Sequence, residues 1–550
     1  MTRRNYDYIV VGAGSAGSVV ASRLSEDGDT RVLVVEAGGT DRRLIVQMPA
    51  AVPFAYMDQS IGWGYQSGPE PHLGGRTIDE KRGKLLGGTS SINAMIANRG
   101  NPRDYDGWAA LGLESWSFAR CLPYFKKMET FEDGPDHWRG GEGPLHFMRC
   151  RAAHSTYDRF LKAGEEAGFA ITPDHNGFKQ EGLHVAQTFV RHGRRCSTAN
   201  AYLRPAMARP NLHVRTRAHV EKLVIEGGRA RGVVLRMIGG REEIRCEREV
   251  ILCAGAFNSP QLLMLSGVGD ADHLREHDIA CAAHLPGVGR NLENHPGVNV
   301  QFALPFEESM VAALGLAGRA RLGIEWLLFK RGLGTMNFFE TGAFLKTRPD
   351  ADYVNMQYEF LPLIRYVENG KLKATPGFQY WMDLSRPQSR GEVRLRSGDP
   401  SAHPSIVFHH LAEEQDAQDL VDGIKLAREM ASRPAWKGAD RNEVLPGRDV
   451  RSDADLRRWI VSNTGTSYHP SGTCRMGHDE MAVVDEQGRV RGIEGLRCVD
   501  ASIMPRTVTG NLNAPIIMMA EKIADCVRER PALPADHAPY HGQSSQGADG

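Results

Sequence analysis

The chain has 550 residues, room for roughly three or four ordinary domains or one enlarged enzyme core, and its 67 Lys plus Arg balance 67 Asp plus Glu. With no excess of positive charge there is no basic stripe to neutralise phosphates, which removes nucleic acid and anionic membrane surfaces as main partners. Hydrophobic residues at 41% and charged residues at 24% fit a soluble globular enzyme, and no run approaches the ~18 apolar residues of a membrane span.

In chain order, the apolar run Asp7 to Gly12 has the look of a parallel strand buried on both faces. A helical pattern follows from Ala16 to Ser25, then a second apolar run from Val32 to Glu36. The turn between them reads Gly12-Ala13-Gly14-Ser15-Ala16-Gly17. In such a turn the first glycine permits the bend, the second admits a pyrophosphate and the third lets helix pack on strand. Glu36, 19 residues after Gly17, stands where a carboxylate accepts both ribose hydroxyls, which favours NAD or FAD over NADP.

The stretch Gly83 to Ile96 places small residues before a helical pattern, suited to close approach of a flat ligand or to a helix cap. Val220 to Cys246 reads as an antiparallel meander, and Val250 to Gly255 as a further buried strand ending in glycine. A helix comes next, with Pro260 in its first turn and its stop at Ser266 to Gly269. From about 304 to 463 the chain is richer in aromatics, with an alternating run at Gly391 to Arg396 and an amphipathic helix near Ala412 to Ser432, the pattern of a sheet-and-helix substrate lobe. Residues 531–550 read as a loose tail.

Nine cysteines, odd in number and without a Cys-x-x-Cys pair, read as reduced thiols of a cytoplasmic protein. No metal site is expected. Near the C-terminus, His469 sits in a loop bounded by Pro470 and Gly472, the setting in which catalytic side chains are presented. Asp500 follows a short strand, and Asn511, Asn513 and Pro515 open a helix whose free N–H groups favour negative charge.

These motifs, in this order, resemble the glucose-methanol-choline oxidoreductase family and within it the bacterial choline dehydrogenases, over about residues 5–530. The resemblance implies an α/β fold with a Rossmann-like FAD-binding domain (1–155, 196–303 and 464–530) and an antiparallel-sheet-plus-helices substrate domain (156–195 and 304–463). Cofactor contacts are expected at Gly12, Gly14, Ser15, Ala16, Gly17, Glu36, Ala37, Gly87, Gly88, Asn93, Ala94, Met95, Val220, Ala254, Gly255, Asp500, Ala501, Asn511 and Pro515. Ile92 stands where a relative attaches its flavin to histidine, so FAD is expected without a covalent bond. His469 and Asn511 match the catalytic pair, Asn513 being the other register. Glu340 matches the acid that faces a trimethylammonium group, with Trp63, Phe339, Tyr358 and Tyr468 as aromatic walls.

The implied reaction takes a small-molecule alcohol, by expectation a primary alcohol with choline among the candidates, to an aldehyde or ketone, and passes electrons to oxygen or a quinone-like acceptor; the alternative is an alcohol oxidase of the same family using oxygen on a neutral aliphatic, benzylic or sugar alcohol. The expected location is cytoplasmic, with membrane association reserved for electron transfer, and a homodimer is compatible with this reading. An FAD-containing hydroxynitrile lyase, a non-catalytic binding protein and a nicotinamide-dependent dehydrogenase are the competing classes.

Overall fold

The computed structural model describes residues 6–437 and 442–543. Tyr6–Val11, Val32–Val35 and Leu212–Arg215 form parallel pairs, and Tyr6–Val11 also pairs in parallel with the end of the thirteen-residue strand Gly240–Leu252. The front half of that long strand belongs to an antiparallel meander with Arg229–Met237 and His219–Glu226. The sequence divides Gly240–Leu252 in two because its pattern changes: one-sided alternation up to Glu249 gives way to fully buried Val250, Ile251 and Leu252. Leu496–Cys498 adds a further parallel pairing to this end.

Helices Ser15–Leu24 and Asn513–Val527 bury one face of the parallel strands and are tied together across the chain. Arg23 donates bidentately to Glu521 at 2.8 and 2.7 Å, and Tyr202 Oη donates to the same carboxylate at 2.9 Å. Gly12 has φ +99°, and a Cβ there would lie 2.6 Å from the Cys253 carbonyl oxygen. A Cβ on Gly17 would overlap the Gly12 carbonyl oxygen, so helix and strand approach as the fingerprint requires.

The second sheet runs Glu443–Leu445, Pro296–Ala303, Gly377–Leu384, Met356–Leu361, Thr341–Leu345 and Gly182–Val185, all antiparallel. Helix Glu414–Ala431 covers it through Leu420, Ile424 and Ala427. Pro296–Ala303, on the cofactor side of the boundary expected at 303, pairs on both sides within this second sheet. The alternating run at 391–396 does not join it: Glu392–Arg394 pairs with Ser405–Val407, and Val393 and Ile406 pack against Tyr65 and Phe257 of the first lobe.

Three local expectations are corrected. The stretch after Gly83 forms only a 3₁₀ turn, Gly88–Ser91, and no α-helix follows it. Buried Arg195 donates to the Asn93 carbonyl at 2.6 Å and to Asn93 Oδ1 at 2.9 Å, satisfying acceptors that a helix would have used. Helix Gly255–Leu265 starts early enough that Pro260 lies inside it, where its missing N–H orphans the Ala256 carbonyl. Thr473 Oγ1 donates to that carbonyl at 2.6 Å and fills the gap.

The expected loose tail is docked along 531–543. Leu533 N–H donates to Tyr124 Oη at 3.1 Å, Asp536 N–H to the Ala119 carbonyl at 2.8 Å, and Tyr540 Oη to Asp106. Residues 544–550 lie outside the described residues.

Because Thr473 replaces a backbone hydrogen bond in a buried place, Thr473→Val should cost about 1–3 kcal/mol. The readout is a lower urea midpoint at unchanged m-value; an unmoved midpoint would show the Ala256 carbonyl needs no partner.

Candidate active site

Between the two lobes lies a cavity of about 790 Å³, reaching from Gly12, Gly14 and Glu36 at the fingerprint to His469 and Asn511 at the C-terminal loops. At its fingerprint end Glu36 accepts the Ala13 N–H at 2.9 Å and the Gly38 N–H at 2.8 Å. Those bonds use two of the carboxylate's roughly four lone-pair directions and leave the others for ribose hydroxyls. Burial raises the Glu36 pKa, against the opposing pull of these two amides. Gly88 approaches the Gly14 backbone so closely that a Cβ on Gly88 would lie 2.7 Å from Gly14 Cα. That contact closes one wall of the cradle.

Ser15, Ala16, Ala37, Asn93, Ala94, Met95, Val220, Ala254, Gly255, Asp500 and Ala501 also line the cavity, as expected of cofactor contacts. Gly17, Gly87 and Pro515 do not; they shape the backbone behind the lining. Asp500 accepts the Gly255 N–H at 2.8 Å and Ser259 Oγ at 2.6 Å, so it caps the helix as well as facing the cavity. An open-ended, glycine-walled cleft with a ribose acceptor at one end fits a flavin dinucleotide. Ile92 turns into an apolar cluster with Val46, Ala55, Ile61 and Leu85, and Asn93, which does face the cavity, is no nucleophile.

At the other end the polar atoms fix one another. With Asn98 and Gln357 presenting their NH₂ groups, Asn511 Oδ1 accepts from Asn98 Nδ2 at 2.6 Å and from Gln357 Nε2 at 3.1 Å, and its amide nitrogen points the other way. Asn511 Nδ2 then donates to His469 Nε2 at 3.2 Å and to Glu359 Oε1 at 3.3 Å. With Nε2 an acceptor, neutral His469 carries its proton on Nδ1 and donates it to His295 Nδ1 at 3.0 Å. His295 is left protonated on Nε2, facing Thr507 Oγ1 at 3.3 Å. Burial, His295 and Arg82 hold the His469 pKa well below 6.5, and burial brings His295 to about 3. Asn513, the alternative register, instead accepts from Ser15 Oγ at 2.8 Å.

The loop carrying His469 is braced from below. Asn294 Oδ1 accepts the backbone N–H of His469 at 2.8 Å and of His295 at 2.9 Å, while Asn294 Nδ2 donates to Glu80 at 2.9 Å and Thr466 Oγ1 at 2.7 Å. Tyr468, Met95 and Phe338 all take left-handed φ values, +62°, +62° and +67°, in or beside the cavity wall. Such conformations cost about 1–3 kcal/mol each and are held only by surroundings that over-determine them.

Two of the expected substrate residues lie elsewhere. Glu340 faces away from the cavity and accepts the Ala152 N–H at 2.8 Å, with burial raising its pKa to about 7. Tyr358 is buried in the second sheet's core and donates to the Gly423 carbonyl at 2.8 Å. Side chains alternate along Met356–Leu361, so Gln357 and Glu359, not Tyr358, reach the Asn511 side. Phe339 and Tyr468 do line the cavity, Tyr468 stacked on Tyr56 at 5.5 Å between ring centres. Trp63 lines it too, but its neighbours are Tyr65, His219 and Lys84, next to Val220.

Sequence reading missed His295, Asn294, Asn98, Gln357 and Glu359. The available signal was the polar run Asn291-Leu292-Glu293-Asn294-His295 between Gly289 and Pro296, which fits neither strand nor helix periodicity. Among the described residues one other His/Glu group, His273, Glu276 and His277, has metal-like spacing, but His273 Nε2 already accepts the Leu395 N–H at 3.0 Å and its Nδ1 faces Glu276 Oε2 at 3.0 Å.

A family model described as GMC oxidoreductase matches residues 6–297, and a second of the same description matches 387–520. The chain is 46% identical over 543 residues to an oxygen-dependent choline dehydrogenase of Ectopseudomonas mendocina, covering 97% of this chain and 96% of that protein. It is 45% identical to the enzyme of the same name from Paraburkholderia phymatum, covering 100% and 97%. Among solved structures, pyridoxine 4-oxidase from Mesorbium loti matches with TM-score 0.85 at 30% identity, covering 96% of this chain and 100% of that one. A formate oxidase of Aspergillus oryzae matches in fold, with TM-score 0.88 at 24% identity over 96% and 99% of the two chains.

With no nucleophile at Ile92 or Asn93, acid precipitation of the flavin-loaded protein should release all of its yellow colour into the supernatant. Colour retained in the pellet would contradict noncovalent binding.

Proposed function

The chain belongs to the GMC oxidoreductase family and catalyses FAD-dependent oxidation of an alcohol, and from that premise we propose how its own residues do so. The hydroxyl of a primary alcohol lies against His469 and Asn511. As its carbinol C–H bond breaks, the hydroxyl proton moves to His469 Nε2 and the C–O bond becomes a carbonyl. FAD, when bound, supplies the two-electron acceptor for the departing hydride. The substrate oxygen replaces the Asn511–His469 hydrogen bond, so Asn511 Nδ2 steadies the charge developing on oxygen, and the His295 contact holds His469 in the tautomer whose Nε2 is unprotonated. The observation that carries this reading is the chain of bonds from Asn98 and Gln357 through Asn511 to His469.

Burial that keeps the ring neutral also makes imidazolium costly, so the proton is shared as the hydride leaves and is not held beforehand. Glu359 is buried near Asp383, which together raise its pKa to about 8, so at neutral pH it is a neutral acid beside Asn511. The oxygen-dependent choline dehydrogenases among the relatives favour oxygen as electron acceptor, and they support choline as a second substrate reading. The nine unpaired cysteines favour a reducing, cytoplasmic location. No described helix is long and apolar enough to cross a membrane.

His469→Ala should keep FAD but slow anaerobic flavin reduction by about 10²–10⁴-fold. Unchanged reduction would remove His469 from the reaction, and a substrate consumed without bleaching the flavin would favour the lyase class.

The limiting reduction rate should stay flat as pH falls through 6.5, because His469 remains neutral there. As pH rises through about 8, Glu359 ionises, sets a negative charge beside the developing alkoxide and slows the step. Glu359→Gln should erase that alkaline limb; a limb that persists assigns it to another group.

A further inference from the structure

We infer that the alcohol this site oxidises carries an anionic group, and that Arg365 binds it. The inference rests on the alcohol-oxidation reading above and adds the substrate's charge.

Arg365 lies on the strand Ile364–Glu368, lines the cavity with Asn511, Glu359 and Tyr468, and sets its guanidinium 5.8 Å from the centre of the Phe339 ring. Its backbone N–H donates to Gln379 Oε1 at 2.8 Å. Among the described residues its guanidinium has no hydrogen-bond acceptor and no carboxylate within 4.0 Å. The cavity's other arginines are committed. Arg82 donates to the Lys81 carbonyl at 2.7 Å and to the Tyr468 carbonyl, with Glu80 at 3.8 Å. Arg76 donates to the Val461 and Thr464 carbonyls at 2.8 and 2.9 Å.

No carboxylate lining the cavity pairs with Arg365 within 4.0 Å, although Glu359 attracts it through space. Glu36 and Asp500 are bound to backbone amides at the fingerprint end, and Asp79 pairs with Gln66 and Lys81. Glu359 bonds to Asn511 and Gln357. Burial has already drawn the Arg365 pKa down, which measures how poorly its charge is solvated.

A planar fork of five N–H donors facing this cavity is satisfied best by a carboxylate or phosphate, bound through two parallel bonds. A quaternary ammonium in the same place meets like charge. Phe339, Tyr56 and Tyr468 line the same cavity as Arg365 and the His469 pair and give it aromatic surface, which suits a flat or apolar spacer between the alcohol and its anionic group.

The test is anaerobic stopped-flow reduction of the FAD-loaded enzyme by a matched benzylic series: benzyl alcohol, 4-(hydroxymethyl)benzoate, 4-(hydroxymethyl)phenyl phosphate and 4-(hydroxymethyl)phenyltrimethylammonium, with choline alongside. The expected order of reduction efficiency is anion above neutral above cation, with at least about a tenfold advantage for the better anion; the carboxylate and phosphate arms separate the two anion classes. Arg365→Gln should remove that advantage relative to benzyl alcohol measured in the same variant, and Arg365→Lys should keep part of it. In the wild-type enzyme, benzoate should compete with substrate and benzyltrimethylammonium should not, a readout that needs no variant.

Equal or better reduction by the neutral or cationic members, or an order untouched in Arg365→Gln, would overturn the inference and leave alcohol oxidation standing. Failure of every alcohol to bleach the flavin would overturn both.

Discussion

Two amide donors, Asn98 Nδ2 and Gln357 Nε2, converge on the oxygen of Asn511, and each proton assignment in the site descends from that convergence. With Asn98 and Gln357 so oriented, turning the Asn511 amide over would set its NH₂ against two donors, and its nitrogen goes to His469 Nε2. The tautomers of His469 and then His295 follow. The three residues around the Asn511 oxygen come from the loop after the glycine turn, the second sheet and the C-terminal segment, so the site exists only when both lobes are in place.

Burial gives this arrangement its chemical direction. In water a histidine titrates near pH 6.5, but here desolvation and neighbouring positive charge favour the neutral ring. The same low-dielectric surroundings push the carboxyl of Glu359 the other way, leaving a neutral acid beside the amide. Two titratable groups thus sit on Asn511, both uncharged at neutral pH, one accepting and one ready to ionise only in alkali. The wall around them is packed tightly enough to hold Tyr468, Met95 and Phe338 in left-handed conformations.

The parts legible in the sequence were those fixed by local backbone contacts. Gly12 and Gly17 show in the sequence because a side chain at either would strike backbone, and Glu36 because its distance from them is set by one helix and one strand. His469 and Asn511 were found through the order of several motifs. The substrate end was less legible because a strand reveals its alternation but not which face meets the cavity. Glu340 was chosen on its match to the family's acid and Tyr358 on its aromatic ring, whereas the pleat sends Gln357 and Glu359 to Asn511. Arg365 and Asn294 were invisible for a related reason: what distinguishes them is the absence or presence of partners more than 100 residues away. Pro260 was misplaced because the helix start depends on Asp500, 245 residues later, taking the Gly255 N–H.

The central claim is the neutral, Nδ1-protonated state of His469. Histidine-selective ¹⁵N NMR of the FAD-loaded protein, with the His469 signals identified by their loss in His469→Ala, reports that state directly. The account predicts a protonated Nδ1 and an unprotonated Nε2 from pH 6 to 8. An Nε2–H tautomer, or an imidazolium at neutral pH, would contradict it.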